Sequence, residues 1–460
     1  MKRLSLLSMI VFLLFFAGNA RSAGTVWTVA DNTAIDARSM NTGSVEGSFG
    51  WAVKNASDGD TIRIQTDALA DGRIQLNGWV RISKSLYIDG NGVVIYSANA
   101  MMNHAINVNA GAEGFMEIAD VEFDACGVCV EAPGAYRRCV FRNFSGAPVN
   151  IQMYSQFAGS EPVLVEDCLF TGNTSGQNYG VVYCNAAYGF EGTYGVDIVS
   201  SAFIGNATNG ASEHGSLIDA FSPAAQVRLF NSVFQDNAGT GGYVAMGNIE
   251  SCGYNLIEGA VAETIALSST DKNGADLGDL LVWDGETLKV NADGEAYGNL
   301  PANVSVEGIT LPEQDLYGNA IDYAVATHSG ASQEVYRQQK VWTVVSDAQE
   351  GEGTFFEAMA SAADGDIIRF DASLNGKTID LGDKAISIDG KALTIEGNPG
   401  RDKVMIKGGS YSFTLADCKL SDLSFDHYKG FDVANSDFQA ERCIFQSYSQ
   451  EEGRWAPFYA

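Results

Sequence analysis

The sequence predicts an all-β chain: a right-handed parallel β-helix (a solenoid), followed by the start of a second, incomplete one. One short unit recurs along the chain, an apolar strand around a phenylalanine followed by a Gly/Asn turn. Its phenylalanines are Phe123, Phe141, Phe170, Phe203 and Phe234, spaced by 18, 29, 33 and 31 residues. Self-similarity at a period of roughly 20 to 50 residues indicates stacked coils. The opening of the series also returns later in the chain, which predicts a second module.

The clearest copy of the unit runs from Asp167 to Asn173. Because successive side chains of a strand point to opposite faces, we expect Phe170 and Cys168 inside the coil and Asp167 and Leu169 outside it. Stacked coils then align the phenylalanines in one inner column. Beside them lies a column of small residues: Val121, Cys139, Cys168, Ser201 and Ser232.

Three of the units end on an asparagine: Asn173, Asn206 and Asn237. Asparagine tolerates the left-handed backbone conformation of a sharp corner. Stacked asparagine side chains can also hydrogen-bond from one coil to the next. We therefore expect these residues to occupy left-handed corners and to form a ladder.

Charged residues alternate in sign on the outer face of the predicted coils. Asp120, Arg138 and Asp167 share one column, and Asp124 and Arg142 share another. Opposite charges on neighbouring strands predict cross-strand ion pairs, each worth about 0–1 kcal/mol on a solvated face.

The composition narrows the class of protein. The chain has 460 residues, 51 of them glycine and 8 proline, and many short apolar runs broken by Gly, Asn and Asp, which favours an all-β fold. Its formal net charge is −29. Such a chain repels a phosphate backbone, so nucleic acid is not an expected partner.

The first 20 residues predict a secretory signal peptide. Lys2 and Arg3 precede an apolar run that ends in small residues at Ala20. We therefore expect an exported protein, extracellular or on the outer-membrane surface, and no transmembrane segment in the mature chain, because no later stretch is apolar enough to span a bilayer as a helix.

Eight cysteines in an exported chain raise the question of disulfides. Cys139 and Cys168 take the inner position reserved for small apolar residues, which favours free thiols. A bridge between Cys126 and Cys129, or between Cys139 and Cys168, stays open at this stage.

The chain divides into four expected segments. Residues 1–20 are the signal peptide, 24–256 form the first β-helix with an N-terminal cap, and 257–340 form a C-terminal cap and linker. Residues 341–460 begin a second β-helix, apparently truncated, because Val341–Val344 repeats the Val-Trp-Thr-Val opening of the first module.

The Phe-x-x-Asn motifs at 170–173, 203–206 and 234–237 resemble the repeats of polymorphic outer membrane proteins. The openings at 47–64 and 353–370 are similar to those of bacterial surface proteins with a pectin-lyase-like right-handed β-helix. This resemblance implies a repetitive cell-surface adhesin or stalk. The pectin-lyase-like fold also hosts polysaccharide-cleaving enzymes, so the fold alone does not decide the function.

Acidic and basic residues that could act in polysaccharide cleavage concentrate on one outer face. The weak catalytic candidates are Asp120, Glu122, Asp124, Arg138 and Arg142. A glycosidase needs two carboxyl groups about 5–9.5 Å apart. A lyase would need a basic residue beside acidic ones. The alternative is an exposed ion-pair ladder without catalysis.

A second acidic run offers weak candidates for calcium, which binds carboxylate and carbonyl oxygens. They are Asp271, Asn273, Asp276 and Asp279. Their spacing lacks a complete calcium-loop motif, so a solvated linker is the alternative. No other cofactor is predicted.

The sequence therefore favours a secreted or cell-surface β-helical adhesin or stalk that binds a surface glycan or a host protein through its loops, without catalysis. The alternative is a pectin-lyase-like carbohydrate-active enzyme, a polysaccharide lyase or glycosidase. A structural fragment of a larger surface protein is a third hypothesis.

Overall fold

The computed structural model divides into two compact units, Met1–Tyr336 and Arg337–Ala460. The predicted signal peptide at 1–20 lies outside the described residues. No helix among the residues that the structure describes is long and apolar enough to cross a membrane. The described residues are 24–32, 45–69, 71–76, 79–97, 104–108, 115–176, 179–208, 215–239, 243–337, 339–387, 391–412, 418–427, 431–432, 438–446 and 458–459.

The first unit contains the helix α1 (Phe49–Asn55) and the 3-10 turns Thr66–Ala68 and Ser155–Phe157. Its strands are β1 Val26–Val29, β2 Thr61–Ile64, β3 Arg73–Leu76, β4 Val80–Ile82, β5 Tyr87–Ser97, β6 Ile106–Val108, β7 Met116–Asp124, β8 Val128–Val130, β9 Gly134–Arg137, β10 Val140–Arg142, β11 Val149–Met153, β12 Val163–Glu166, β13 Leu169–Thr171, β14 Val182–Ala186, β15 Tyr194–Val199, β16 Ala202–Ile204, β17 Ala207–Thr208, β18 Ile218–Ala220, β19 Ala225–Phe230, β20 Val233–Gln235, β21 Ala238–Gly239, β22 Ala245–Gly247, β23 Ile249–Gly253, β24 Leu256–Glu258, β25 Lys272–Gly274, β26 Leu281–Asp284, β27 Thr287–Asn291 and β28 Val335–Tyr336.

The strands of the first unit wind into a right-handed parallel β-helix, which confirms the predicted fold class. One face has the strand order β22-β18-β14-β11-β8-β6-β4. A larger sheet follows the path β23-β19-β15-β12-β9-β7-β10-β13-β16-β20-β24-β25, and β1, β2, β3 and β5 pair beside it. Two small separate sheets are formed by β17-β21 and by β26-β27-β28. This path turns a corner at β7, whose first half pairs with β9 and whose second half pairs with β10.

The interior is organised by the two predicted columns. The five phenylalanine rings stack with centroid separations of 5.0, 5.0, 4.5 and 4.7 Å and nearly parallel planes. The small residues beside them are buried. Aromatic pairs in such stacks add about 0.5–1.5 kcal/mol beyond the area that they bury. The aromatic stack predicted from the repeat is therefore confirmed.

The asparagine ladder is confirmed, but the left-handed corner lies one residue earlier than predicted. Asn173 Nδ2 donates to Asn206 Oδ1 (3.0 Å), and Asn206 Nδ2 donates to Asn237 Oδ1 (3.1 Å). The positive φ angles belong to Gly172 (63°) and Gly205 (63°), and to the residue before Asn237. Each asparagine is thus free to satisfy buried backbone groups instead of making the turn.

Residues 277–336 cover the outside of the coils, and we call them the cover segment. Its Leu280, Leu281 and Leu316 pack on Leu169 and Ala202, which point away from the coil interior. A second contact places Leu300 on the outer face of β15 and β19. Leu169 and Asp167 therefore point out of the coil as predicted but are buried, each with 2% or less of its surface exposed.

The second unit contains α2 (Phe355–Ser361) and the 3-10 turn Ala372–Leu374. Its described strands are also parallel. They are β29 Val341–Val344, β30 Ile367–Phe370, β31 Thr378–Ser387, β32 Leu393–Glu396, β33 Val404–Ser412, β34 Cys418–Ser421, β35 Leu423–Asp426, β36 Phe431–Asp432, β37 Gln439–Glu441, β38 Ile444–Gln446 and β39 Phe458–Tyr459.

The eight cysteines are free thiols in the structure. Cys139 and Cys168 lie in the small inner column, where both are fully buried. Neither bridge that the sequence left open, Cys126–Cys129 or Cys139–Cys168, is formed.

Candidate functional site

A column of left-handed residues marks the corner where the first and second halves of each coil meet. Asp120 (φ 59°), Arg138 (φ 51°) and Asp167 (φ 50°) occupy it in successive coils. Ser200 and Asn231 continue it. The predicted column of Asp120, Arg138 and Asp167 therefore exists, and a sharp bend of the backbone turns these side chains outward.

The corner column is open at its first coils and closed beyond them. The open part is a cavity of about 400 Å³, which we call the corner groove. Its lining residues are Asp89, Asn91, Gly92, Asp120, Val121, Glu122, Arg138, Val140, Leu316 and Tyr317. Leu316 and Tyr317 belong to the cover segment, so the groove ends where that segment meets the coils.

The charged candidates of the groove form ion pairs, as their alternating signs predicted. Arg138 donates to both oxygens of Asp120, at 2.7 and 2.8 Å. The guanidinium of Arg142 pairs with Glu122 and lies 3.8 Å from Asp124. Bidentate guanidinium–carboxylate pairs fix orientation as well as charge. Three of the five predicted candidates, Asp120, Glu122 and Arg138, line one cavity.

The other two candidates are held at the rim. Asp124 accepts a hydrogen bond from Arg73 at 3.0 Å and one from Asn143 at 2.9 Å. Arg142 forms ion pairs with Glu122 and Asp124. Neither of these two residues lines the cavity.

Two groups that line the groove have shifted pKa values. The hydrogen bond to Asp120 raises the pKa of Arg138, so its guanidinium is a fixed cation and cannot remove a proton. Burial raises the pKa of Glu122, although the nearby Arg142 opposes this effect. The surroundings of Glu122 therefore favour its protonated form more than water does.

Beyond the groove, the cover segment closes the corner over Asp167. This side chain is 1% exposed, and neither carboxylate oxygen has a hydrogen-bond partner among the described residues. Burial raises its pKa well above the usual value, and the neighbouring Asp315 adds to the effect. Farther along the column, Asn231 is instead satisfied by the cover segment: its Oδ1 accepts from Ser329 Oγ at 2.8 Å.

The calcium candidates make hydrogen bonds within the chain. Asp271 accepts the backbone N–H of Asn255 (2.9 Å) and of Ser268 (2.6 Å). Asn273 Nδ2 donates to the carbonyl oxygens of Ile257 and Gly259. Asp276 Oδ1 accepts the N–H of Gly278 and so caps the turn at 276–278. Asp279 completes the predicted set. Within the part of the chain that the structure describes, no three His, Cys, Asp or Glu residues converge as metal ligands.

The sequence missed the residues that make the corner a cavity. Leu316 and Tyr317 lie far along the chain from Asp120, and no repeat connects them. Asn91 and Gly92, both with positive φ, form a bend inside β5. The left-handed Asn91 was the one available signal, because it precedes Asp120 and Arg138 in the same column.

Comparison with known proteins adds little to this geometry. No family model matches the chain, and no curated protein matches it. Among solved structures, the chain is similar to a PL6 family alginate lyase, AlyGC, at 12% sequence identity and a TM-score of 0.22, covering 91% of this chain and 77% of that one. A mutant of the same lyase gives 12% identity and a TM-score of 0.20, covering 93% and 75%. Neither likeness bears on the chemistry of the corner groove.

Proposed function

We propose that this chain is an exported, carbohydrate-binding β-helix that holds a glycan in the corner groove without cleaving it. One observation carries the proposal: the groove displays polar groups locked by ion pairs beside an exposed aromatic ring. Asp120 and Arg138 hold each other in place, and Tyr317 is 39% exposed at the closed end.

This lining suits a hydroxyl-rich ligand. Ligand sites of about 300–1,000 Å³ usually combine an apolar wall with a few fixed polar groups. Here Leu316, Val140 and the ring of Tyr317 supply apolar surface, while Asn91 and the Asp120–Arg138 pair supply donors and acceptors. Because these charges are already neutralised by their partners, they orient hydroxyl groups rather than bind an ion. An extracellular or outer-membrane location, with the chain serving as an adhesin or stalk, belongs to the same proposal.

A second candidate function is a carbohydrate-active enzyme at the same groove. The raised pKa of Glu122 favours it, because a glycosidase needs one carboxyl that stays protonated until it donates its proton. In that case Glu122 would be the general acid and Asp120 the second carboxyl. The pairing of Asp120 with Arg138 argues against this candidate, since both of its oxygens are occupied.

The test is a glycan array with residues 21–460, followed by titration of the best ligand. Asn91→Gly removes an exposed amide at φ 50°, a conformation that glycine adopts freely, so the fold should be unaffected. We expect binding to weaken about threefold to tenfold, the value of one lost hydrogen bond. Asn303→Gly is the matched control, because Asn303 is also exposed and left-handed (φ 57°) but lies outside the groove.

Turnover is measured on the same glycans by reducing-end and unsaturated-product assays. Binding without turnover, weakened by Asn91→Gly and not by Asn303→Gly, supports the binding function. If the parent cleaves a glycan and Glu122→Gln abolishes this turnover, the enzyme function replaces the binding function. If Asn91→Gly and Asn303→Gly bind the glycan with equal affinity, the corner groove is the site of neither the binding function nor the enzyme.

A further inference from the structure

A second cavity lies on the outer face of the coils, away from the corner column. It has a volume of about 410 Å³ and is lined by β15, β19, β23 and the loop before β12. It shares no residue with the corner groove. We call it the glycine groove, after Gly195 in its floor. Its lining residues are Gly159, Ser160, Pro162, Thr193, Tyr194, Gly195, Asp197, Gln226, Val227, Arg228, Asn248 and Glu250.

The floor is built from two outward columns of neighbouring strands. In the first, Gly195 lies opposite Gln226 and beside Pro162. A Cβ atom at Gly195 would lie 3.0 Å from Pro162 Cβ, so glycine lets Pro162 approach this strand closely and keeps the floor free of a larger side chain. In the second column, Asp197 lies opposite Arg228, which lies opposite Glu250.

One ion pair fixes the shape of the floor. Arg228 Nε and Nη2 donate to the two oxygens of Asp197, at 2.7 and 2.6 Å. Arg228 Nη2 also donates to the carbonyl oxygen of Gly308 in the cover segment, at 2.9 Å. Asp197 is 5% exposed, so its charge is compensated below the surface of the groove. The pair makes a rigid floor that does not need a bound ion.

The side chains of the glycine groove that face solvent carry neutral amide and hydroxyl groups and one carboxylate. Gln226, Asn248 and Thr193 are exposed, and so is Glu250. An anionic ligand would meet Glu250 and a chain of net charge −29. A small cation would meet Arg228, and both oxygens of Asp197 are already used. A neutral ligand with many hydroxyl groups can use the amides as both donors and acceptors.

We propose that the glycine groove is a second binding site, for a neutral saccharide unit, laid over Gly195 and held by Gln226, Asn248 and Glu250. It shares a ligand class with the proposed function but no residue, so either site can fail alone. The groove volume falls in the range of small-ligand sites. Uronate-containing and sulfated glycans are excluded from it by charge.

The test uses neutral tetrasaccharides (cellotetraose, maltotetraose and mannotetraose) titrated calorimetrically into residues 21–460. A tetra-uronate serves as the anionic comparison. Gln226→Ala and Glu250→Gln change exposed strand positions and should leave the fold intact. We expect each to weaken binding of the preferred neutral tetrasaccharide about threefold to tenfold. Lys419→Ala, at an exposed strand position of the second unit, should change nothing.

Gly195→Ser tests whether a side chain added to the floor blocks the ligand, whereas the other variants test the loss of a contact. It adds a small side chain to the floor and should weaken binding even though it adds a hydroxyl donor. Circular dichroism and the melting temperature establish that each variant is folded. Asn91→Gly, which tests the corner groove, should leave this binding unchanged. The proposal is overturned if no neutral tetrasaccharide binds, if the tetra-uronate binds more tightly, or if the floor variants bind as the parent does.

Discussion

The two units open in the same way. In the first, Trp27 Nε1 donates to Asp60 Oδ2 at 2.8 Å; in the second, Trp342 Nε1 donates to Asp366 Oδ2 at 2.9 Å. Each aspartate also accepts two backbone N–H groups. Each helix that follows the first strand is capped by a hydroxyl side chain. The duplication seen in the sequence thus preserves a set of hydrogen bonds in which each aspartate closes a turn.

The corner columns of the two units share one aspartate–arginine pair, and the first unit also has a corner aspartate that is unpaired among the described residues. Asp422 and Arg442 are left-handed and paired (2.7 Å), like Asp120 and Arg138. Asp167 has the same backbone conformation but no hydrogen-bond partner among the described residues. Backbone register therefore decides where a corner carboxyl lies, whereas the residues packed around it decide whether it is charged.

The largest expected effect concerns the aromatic columns. Phe170 stacks between Phe141 and Phe203, and Phe425 stacks on Phe445 at 5.3 Å. Phe170→Ala should lower the free energy of unfolding of the first unit by about 3–5 kcal/mol, because it leaves a cavity between rings. Phe425→Ala should do the same to the second unit. Hydrogen exchange measured by mass spectrometry reads the units separately, and faster exchange spread over both would show that they unfold together.

The opening aspartates come next. Burial alone would raise the pKa of Asp60, but the N–H groups of Ser57 and Thr25 and the indole of Trp27 together lower it. The pKa of Asp366 is lowered in the same way. Asp60→Asn and Asp366→Asn should each cost about 2–3 kcal/mol at pH 7, because charge-assisted hydrogen bonds are lost. Urea unfolding followed by tryptophan fluorescence measures this, and unequal losses would show that the two openings are not equivalent.

The corner aspartates should respond oppositely to pH. The hydrogen bonds from Arg442 lower the pKa of Asp422 to about 2, so its stabilisation is present above the ordinary value of 3.8 and is lost as the pH falls toward 2. Burial raises the pKa of Asp167, so its contribution is complete below 3.8 and is lost as the pH rises.

Two substitutions measure this difference. Asp167→Asn keeps the shape without the charge and should stabilise the first unit at pH 7 by about 1–2 kcal/mol. Asp422→Asn should destabilise the second unit by about 1–2 kcal/mol, a value reduced by the solvent around Arg442. The effect of Asp167→Asn should disappear when melting temperatures are measured at pH 3 instead of pH 7, because the folded and unfolded carboxyl groups are then both protonated. The effect of Asp422→Asn should only be reduced at pH 3 and should disappear below pH 2. A destabilising Asp167→Asn would mean that the carboxylate has a partner in solution.

The smallest effect should come from an ion pair that both units carry on their outer face. Arg63 lies 3.0 Å from Asp89, and Arg369 lies 2.9 Å from Glu396, at matching strand positions. Both arginines are more than half exposed. Arg63→Ala and Arg369→Ala should therefore change stability by no more than about 0.5 kcal/mol, and less in high salt. A larger loss at either site would indicate packing by the arginine stem.

The sequence predicted the features that repeat from coil to coil, but it did not predict the segment that covers the coils. The phenylalanine stack, the small column and the ion pairs of Asp120 and Arg142 follow from side-chain alternation and a fixed register. The cover segment could not be predicted, because Leu281 packs on Leu169 without any periodic relation to it. Asp167 was consequently placed in solvent, and the corner groove, which needs Tyr317 as its end wall, was missed.

The inner ladders of the first unit also have a direction. The N–H of Cys168 donates to Ser201 Oγ, the N–H of Ser201 to Ser232 Oγ, and the N–H of Ser232 to Asn255 Oδ1. Asn173 and Asn206 donate the same way, each to the asparagine of the following coil. In these two columns the backbone N–H of each named residue thus depends on a side chain of the following coil. The last acceptor in the first column is Asp271, which accepts the N–H of Asn255. Removing the coil that follows would therefore leave buried backbone N–H groups of these columns without their acceptors.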